Sequence, residues 1–134
     1  MVFKRSIYIP FRLADPFGIL FYSKVLDLSH DIYEAWVKKL GIQWKDWFDN
    51  PKWALPIRAV TTHYLKPIYP GKSYDVWVKP KRIQNSSFVL NFQFRKNGTP
   101  HCEIETVHAF IDKKTKKKIP IPKEIAKKLL SSGL

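Results

Sequence analysis

The sequence predicts an α+β domain in which one mainly antiparallel sheet curves around a single long helix. Three observations predict it. Apolar residues recur at spacings of three and four from Val25 to Leu40, the period of one helix. Beyond residue 55 the pattern alternates every second residue instead, as in half-buried strands. The strand-like segments there are joined by hairpin-length turns, which leave no room for helical crossovers and so make the sheet antiparallel.

Each element can be justified in turn. "FKRSIYIPF" has strand composition, and Pro10 limits how far it can pair centrally. The long helix carries Val25, Leu26, Leu28, Ile32, Tyr33, Trp36, Val37 and Leu40 over a wide arc, as a helix covered by a sheet should. Lys38 and Lys39 lie in its last turn and Gly41 follows, the expected charge and stop at a helix C-terminus. The aromatic stretch "IQWKDWFDNPKWA" holds one short helix and a turn. "LPIRAVTTHYL" is a strand rich in β-branched residues, and "PIYPGKS" a loop. "YDVWVKPKRIQ" puts Tyr74, Val76 and Val78 on one face, and "SFVLNFQFRK" does the same with Phe88, Leu90, Phe92 and Phe94. Asn97-Gly98 is a strong hairpin signal. "HCEIETVHAFID" is the return strand, "KKTKK" a polar turn, "KIPIP" the end of the sheet, and "KEIAKKLLSS" a short final helix. No repeat, linker or low-complexity segment divides residues 1–134, so one domain is expected.

Composition narrows the function classes. Hydrophobic residues make up 45% and aromatics 15% of the chain, enough for a core and too much for a disordered tail. No apolar run approaches the roughly 20 residues that span a bilayer, and "MVFKRSIYIPFRLAD" reads as a strand, not as a secretory signal. Cys102 is the only cysteine. It can form no internal disulfide, has no partners at metal-ligand spacing, and fits a reducing, cytoplasmic setting. Twenty-four Lys and Arg against eleven Asp and Glu give a formal charge of +13, which attracts polyanions: nucleic acid, an anionic membrane or a phosphorylated ligand. The one dense basic run is Lys113 to Lys118.

The chemistry concentrates in "DPFGILFYSKVLDLSHDIYEAW", residues 15 to 36. Pro16 biases Asp15 away from helical geometry, so the carboxylate stands just ahead of the helix. A turn residue or a charge favouring the helix dipole explains this without function. The same geometry also suits acyl transfer. Free N–H groups near Ile19 to Tyr22 can hold an oxyanion, an adjacent carboxylate can attack a carbonyl carbon or activate water, and Gly18 lets backbone approach substrate closely.

This stretch resembles the Asp-Pro-x-Gly-[IL]-[VL]-[FW]-Tyr opening of the hotdog-fold thioesterases of the 4-hydroxybenzoyl-CoA thioesterase-like family. "ALPIRAVTTHYLKPIYPGKSYDVWVKPKRI", "NSSFVLNFQF" and "TVHAFIDKKTKKKIPIP" are similar to that family's later segments, in the same order and over nearly the whole chain. The resemblance implies a hotdog fold, a sheet around one long helix, and hydrolysis of an acyl-CoA thioester with no metal and no cofactor beyond the CoA of the substrate. It casts Asp15 as catalytic nucleophile or general base, Tyr22 as the residue whose N–H polarises the carbonyl, and Gly18 as the glycine of the loop between them. It places His30 at the acyl group, with Phe17 and Ile19 as further substrate-binding candidates; CoA is an anion, and Arg82, Lys96, Arg95 and the lysine run are the candidates for its phosphates. "SHDIYEAW" and "ALPIRA" look like the branch that hydrolyses 1,4-dihydroxy-2-naphthoyl-CoA, so an aromatic acyl group is expected; short or medium fatty acyl-CoA and acyl-carrier-protein thioesters are the alternatives. The chain departs from the family at Leu13, where many relatives have a second Asp, and at Phe17, where a small residue is usual. Relatives that use a helical Glu point to Glu34, a weaker match than Asp15. Hotdog domains generally associate with the active site between protomers, so a homodimer or homotetramer is expected.

The remaining polar residues read as structural. His63, His101 and His108 lie in strands with no nucleophile elbow nearby, and Ser86 and Ser87 lie in a turn. A basic nucleic-acid-binding module is the competing reading of the charge. Against it, the aromatics fall on core faces and are not interleaved with Lys and Arg as stacking platforms.

Overall fold

The computed structural model describes residues 2–132. Strand β1 (Phe3–Tyr8) leads through a short turn at Phe11–Leu13 to helix α1 (Lys24–Lys39). Helix α2 (Trp44–Trp47) and strand β2 (Trp53–Ala54) follow, then β3 (Ile57–Tyr64), β4 (Ser73–Ile83), β5 (Ser87–Lys96), β6 (Thr99–Ala109), β7 (Ile111–Asp112) and helix α3 (Lys123–Leu130). Five strands form the main sheet in the order β1-β4-β5-β6-β3, and β2 pairs with β7 beside it. All pairings are antiparallel, as the short turns require. Asn97 and Gly98 both take positive φ, 51° and 77°, the conformation that closes a tight β5–β6 hairpin.

Helix α1 buries Val25, Ser29, Ile32, Tyr33, Trp36 and Val37, one stripe at helical spacing. The stripe packs in the same core as the inward residues of the sheet, Tyr74, Val76, Val78, Phe88, Leu90, Phe92, Phe94, Cys102 and Ile104. Each such side chain contributes about 1.5–3 kcal/mol by leaving water, so this contact holds α1 against the sheet. Helix α2 is tied in by Trp47, whose indole N–H donates to the buried Tyr33 hydroxyl. β5 is more deeply buried than simple alternation predicts. Val89 and Asn91 on its other face are 6% and 5% exposed, because β5 is the middle strand and long side chains cross over it: Asn91 donates to Glu103 at 2.9 Å.

The two sheet edges differ. β1 carries Lys4 and Arg5, charges that discourage further pairing. β3 has seven of its eight residues exposed, Ile57, Val60 and Tyr64 among them. No helix among the described residues is long and apolar enough to cross a membrane.

Candidate functional site

The segment between β1 and α1 folds into a closed loop held from both ends. Ala14 and Leu20 form a β-bridge. The Asp15 N–H donates to the Ile19 carbonyl at 2.8 Å, and the Gly18 N–H returns to the Asp15 carbonyl at 2.9 Å. Gly18 has φ +78°, and a Cβ there would meet nothing within 4 Å. The position therefore needs glycine for its left-handed backbone and not for lack of room. Pro16 starts the turn, as Asx-Pro pairs do.

Asp15 is half-buried. Its Oδ1 accepts the N–H groups of Phe17 at 2.8 Å and Ile19 at 3.2 Å. Among the described residues Oδ2 has no such partner, so one oxygen anchors the carboxylate while the other can do chemistry. Asp15, Ile19, Leu20 and Tyr22 form one wall of a cleft of about 310 Å³, and Tyr64 to Ile68 form the other. The second wall is rigid. Leu65 and Lys66 N–H groups both donate to the His101 carbonyl, at 2.9 and 3.0 Å, and His101 Nδ1 lies 2.8 Å from the Pro67 carbonyl, an acceptor, so Nδ1 donates. The walls are joined by the Leu20 N–H, which donates to the Ile68 carbonyl at 2.7 Å, and by the Tyr64 hydroxyl, which donates to the Tyr22 carbonyl.

Helix α1 begins at Lys24, with Ser23 as N-cap, later than the sequence reading assumed. The amides expected to be free near Ile19 to Tyr22 are for the most part occupied. Ile19 donates to Asp15, Leu20 to Ile68, and Phe21 to Leu13 at 2.9 Å. Among the described residues, Tyr22 and Ser23 are the amides of this stretch that reach neither a backbone carbonyl nor a side-chain acceptor. They stand at the helix start, where unsatisfied N–H groups and the helix dipole favour negative charge.

The structure therefore brings Asp15, Ile19 and Tyr22 to one cleft, with Gly18 in the loop behind. Phe17 projects from the loop tip, 91% exposed, and does not line the cleft. His30 is exposed on α1, its ring 5.5 Å from that of Tyr33. Arg82 is exposed near the end of β4, opposite Val89, while Lys96 closes the far end of β5 and donates to the Ser73 carbonyl at 3.1 Å. The two thus lie at opposite ends of the sheet, and neither lines the cleft. Glu34 is paired with Lys38 at 3.9 Å on the outer face of α1. Cys102 is fully buried, and burial pushes its thiol up to about 12, so it stays unreactive. Sequence reasoning did not find Tyr64, the Leu65 to Ile68 wall or the Ser23 amide. The signal for the first two was the strand-ending "HYLKP", a tyrosine followed by a proline-stiffened loop.

A second surface is electropositive. Arg58, Lys116, Lys117 and Lys118 line a groove of about 650 Å³ with Pro56 and Ile111. The nearby Asp112 carboxylate is engaged by the Lys114 and Thr115 N–H groups, both at 2.8 Å, and those bonds, Thr115 foremost, hold its carboxyl below the usual range.

The family model described as "Thioesterase-like superfamily" matches residues 9–129. A 1,4-dihydroxy-2-naphthoyl-CoA hydrolase of Prochlorococcus marinus (strain NATL1A) is 30% identical over 131 residues, covering 92% of this chain and 87% of that protein. The structure of a 1,4-dihydroxy-2-naphthoyl-CoA thioesterase from Synechocystis is similar with a TM-score of 0.87 at 17% identity, over 97% of this chain and 96% of that one. A Staphylococcus aureus protein solved in complex with CoA also gives a TM-score of 0.87, at 14% identity over 98% and 84% of the two chains. At such identities the two structures speak for the fold alone.

Proposed function

The chain belongs to the thioesterase-like superfamily, and from that premise we propose that it is an acyl-CoA thioesterase that releases an aromatic acid, of the 1,4-dihydroxy-2-naphthoyl or 4-hydroxybenzoyl type, and free CoA. The observation that carries the reading is one cleft lined both by a carboxylate with a free oxygen and by Tyr22, whose unspent amide stands at a helix start next to that of Ser23. The relatives' names supply the acyl class, and the apolar walls at Ile19, Leu20, Leu65 and Ile68 suit a flat hydrophobic group.

The chemistry follows from the arrangement. The thioester carbonyl oxygen sits at the Tyr22 and Ser23 amides, which take up the negative charge as the carbon becomes tetrahedral. Asp15 Oδ2 either removes a proton from the attacking water or attacks the carbon itself. The intermediate collapses with loss of the CoA thiolate, a good leaving group; water attack leaves the free acid directly, whereas attack by Asp15 leaves an acyl anhydride that a water molecule then hydrolyses to the acid and the regenerated carboxylate. Asp15 Oδ1, fixed by two backbone N–H groups, keeps Oδ2 in line for either role.

The working unit in this proposal is a homodimer, alone or paired into a tetramer. Support comes from β3, a long edge strand with exposed Ile57, Val60 and Tyr64 and a single charged residue, Arg58, near one end, which leaves most of the edge open to a partner strand. Two-fold antiparallel pairing of β3 with its copy sets the Tyr64 end of one protomer beside the partner's Arg58. The phosphates of a CoA whose thioester lies in the cleft then meet the partner's Arg58 and its lysine turn. Arg82 and Lys96, at opposite ends of the sheet, do not share that position. Buried, unreactive Cys102 is compatible with the cytoplasmic placement we propose.

A thiol-release assay over aromatic and aliphatic acyl-CoAs tests the function. Aromatic esters should show the highest kcat/KM. Preference for aliphatic chains by about tenfold or more would refute the acyl assignment, and hydrolysis of carrier-protein thioesters alone would refute the CoA assignment.

A further inference from the structure

The two unspent amides at the start of α1, that of Tyr22 on the cleft wall and that of Ser23 next to it, are held unequally by their own segment. The Tyr22 N–H belongs to the peptide unit whose carbonyl, that of Phe21, accepts the Lys24 N–H at 2.9 Å. The Ser23 N–H belongs to the next unit, whose carbonyl is that of Tyr22. Among the described residues no local hydrogen bond secures that second unit. Tyr22 is 67% exposed, and Ser23 makes no side-chain cap. What reaches it comes from 42 residues away, the hydroxyl of Tyr64.

Tyr64 is well placed to act as a fixed post. It is the last residue of β3 and pairs with fully buried Cys102 on β6. The chain just after it is clamped by two N–H bonds to the His101 carbonyl. A donor on a peptide carbonyl also polarises that amide and strengthens its own N–H as a donor.

We infer that Tyr64 is a positioning residue for the hydrolysis, its hydroxyl pinning the Tyr22–Ser23 peptide so that both amides stay fixed where the oxyanion forms. The inference rests on the thioesterase reading and adds to it a side chain that acts through the backbone. Tyr64 transfers no proton and forms no bond to substrate in this role. Its effect falls on the transition state, where charge has developed, and not on ground-state binding.

Tyr64→Phe removes the hydroxyl and keeps the ring that walls the cleft. On the ester that the wild type hydrolyses fastest, kcat should fall roughly 10- to 100-fold, as for a sub-ångström misplacement of catalytic groups. KM should stay within about twofold, and the Ser23 and Tyr22 amide resonances should shift in the free protein. Wild-type kcat in the variant, or a raised KM at unchanged kcat, would overturn the inference. If Tyr64→Phe loosens the fold, a ring-fluorinated tyrosine at position 64 preserves shape while making the phenol more acidic. Its kcat should then drop at alkaline pH where the wild type holds, because a phenolate cannot donate; parallel pH profiles would overturn the inference. A wild type inert toward every CoA ester would count against the hydrolase reading, and the amide shifts would still decide whether Tyr64 holds that peptide.

Discussion

Acidification through the histidine range should destabilise this protein through one side chain, His108. The ring is fully buried on the inner face of β6. It stacks on Phe88, its cross-strand neighbour, at 4.8 Å with planes 2° apart. Nε2 is 2.7 Å from the Thr106 hydroxyl, and among the described residues Nδ1 has no hydrogen-bond partner. Burial, with a smaller push from His30, lowers its pKa from the ordinary 6.5 to about 3. The unfolded chain therefore takes up a proton near pH 6.5 while the folded one refuses it, so stability is complete above that pH and is lost below it, down to the folded pKa. At pH 5.0 the loss is about 1.5 pH units times 1.36 kcal/mol, or about 2 kcal/mol. Urea unfolding at about pH 7.5 and pH 5.0 measures this directly. Carboxylates also titrate, so the comparison is with His108→Gln, whose stability should change by about 2 kcal/mol less over the same interval. Equal pH dependence in the two proteins would refute the reasoning.

Two further outcomes follow from the site. Gly18→Ala should cost about 1–2 kcal/mol, since φ +78° is unfavourable to any Cβ although the space is open; Gly18→Asn should cost less, which thermal unfolding of the pair would check. Replacing Lys116, Lys117 and Lys118 with Gln should raise KM for CoA esters about tenfold at low salt with kcat unchanged, and flatten the salt dependence of KM. Mixing that variant with Asp15→Asn should restore low-KM turnover in hybrid dimers, because each supplies what the other lacks; a mixture with no gain would place the phosphate contacts within one protomer.

Much of this fold could be read from periodicity. The α1 stripe and the inward faces of β4 and β5 announce themselves because burial imposes a period on the residues that undergo it. The Asn97-Gly98 turn was legible because few dipeptides accept two positive φ angles. The placement of Asp15 in a turn ahead of the helix was legible through Pro16 and Gly18, local rules that hold whatever surrounds them, whereas the family resemblance was what singled it out as a candidate for the chemistry. What failed was non-local. The start of α1 depends on which amides the neighbouring loop consumes, and Leu13 and Ile68 consume two of them through backbone carbonyls that leave no trace in composition. Tyr64 acts across 42 positions, and the burial of Val89 and Asn91 follows from β5 being central, a matter of strand order. Arg82 and Lys96 looked equivalent as cations in a sequence, and only the strand register separates them by the length of the sheet.

In the proposed reaction Asp15 does the chemistry in a cleft where backbone amides take the charge. Steady-state hydrolysis of an aromatic acyl-CoA by Asp15→Asn, beside the wild type, tests it most directly. Asparagine keeps an oxygen to accept the Phe17 and Ile19 N–H bonds, so the loop and the cleft should survive, with KM little changed. The account predicts that kcat falls about 10²–10⁴-fold. A variant that folds and hydrolyses the ester at the wild-type rate would contradict it.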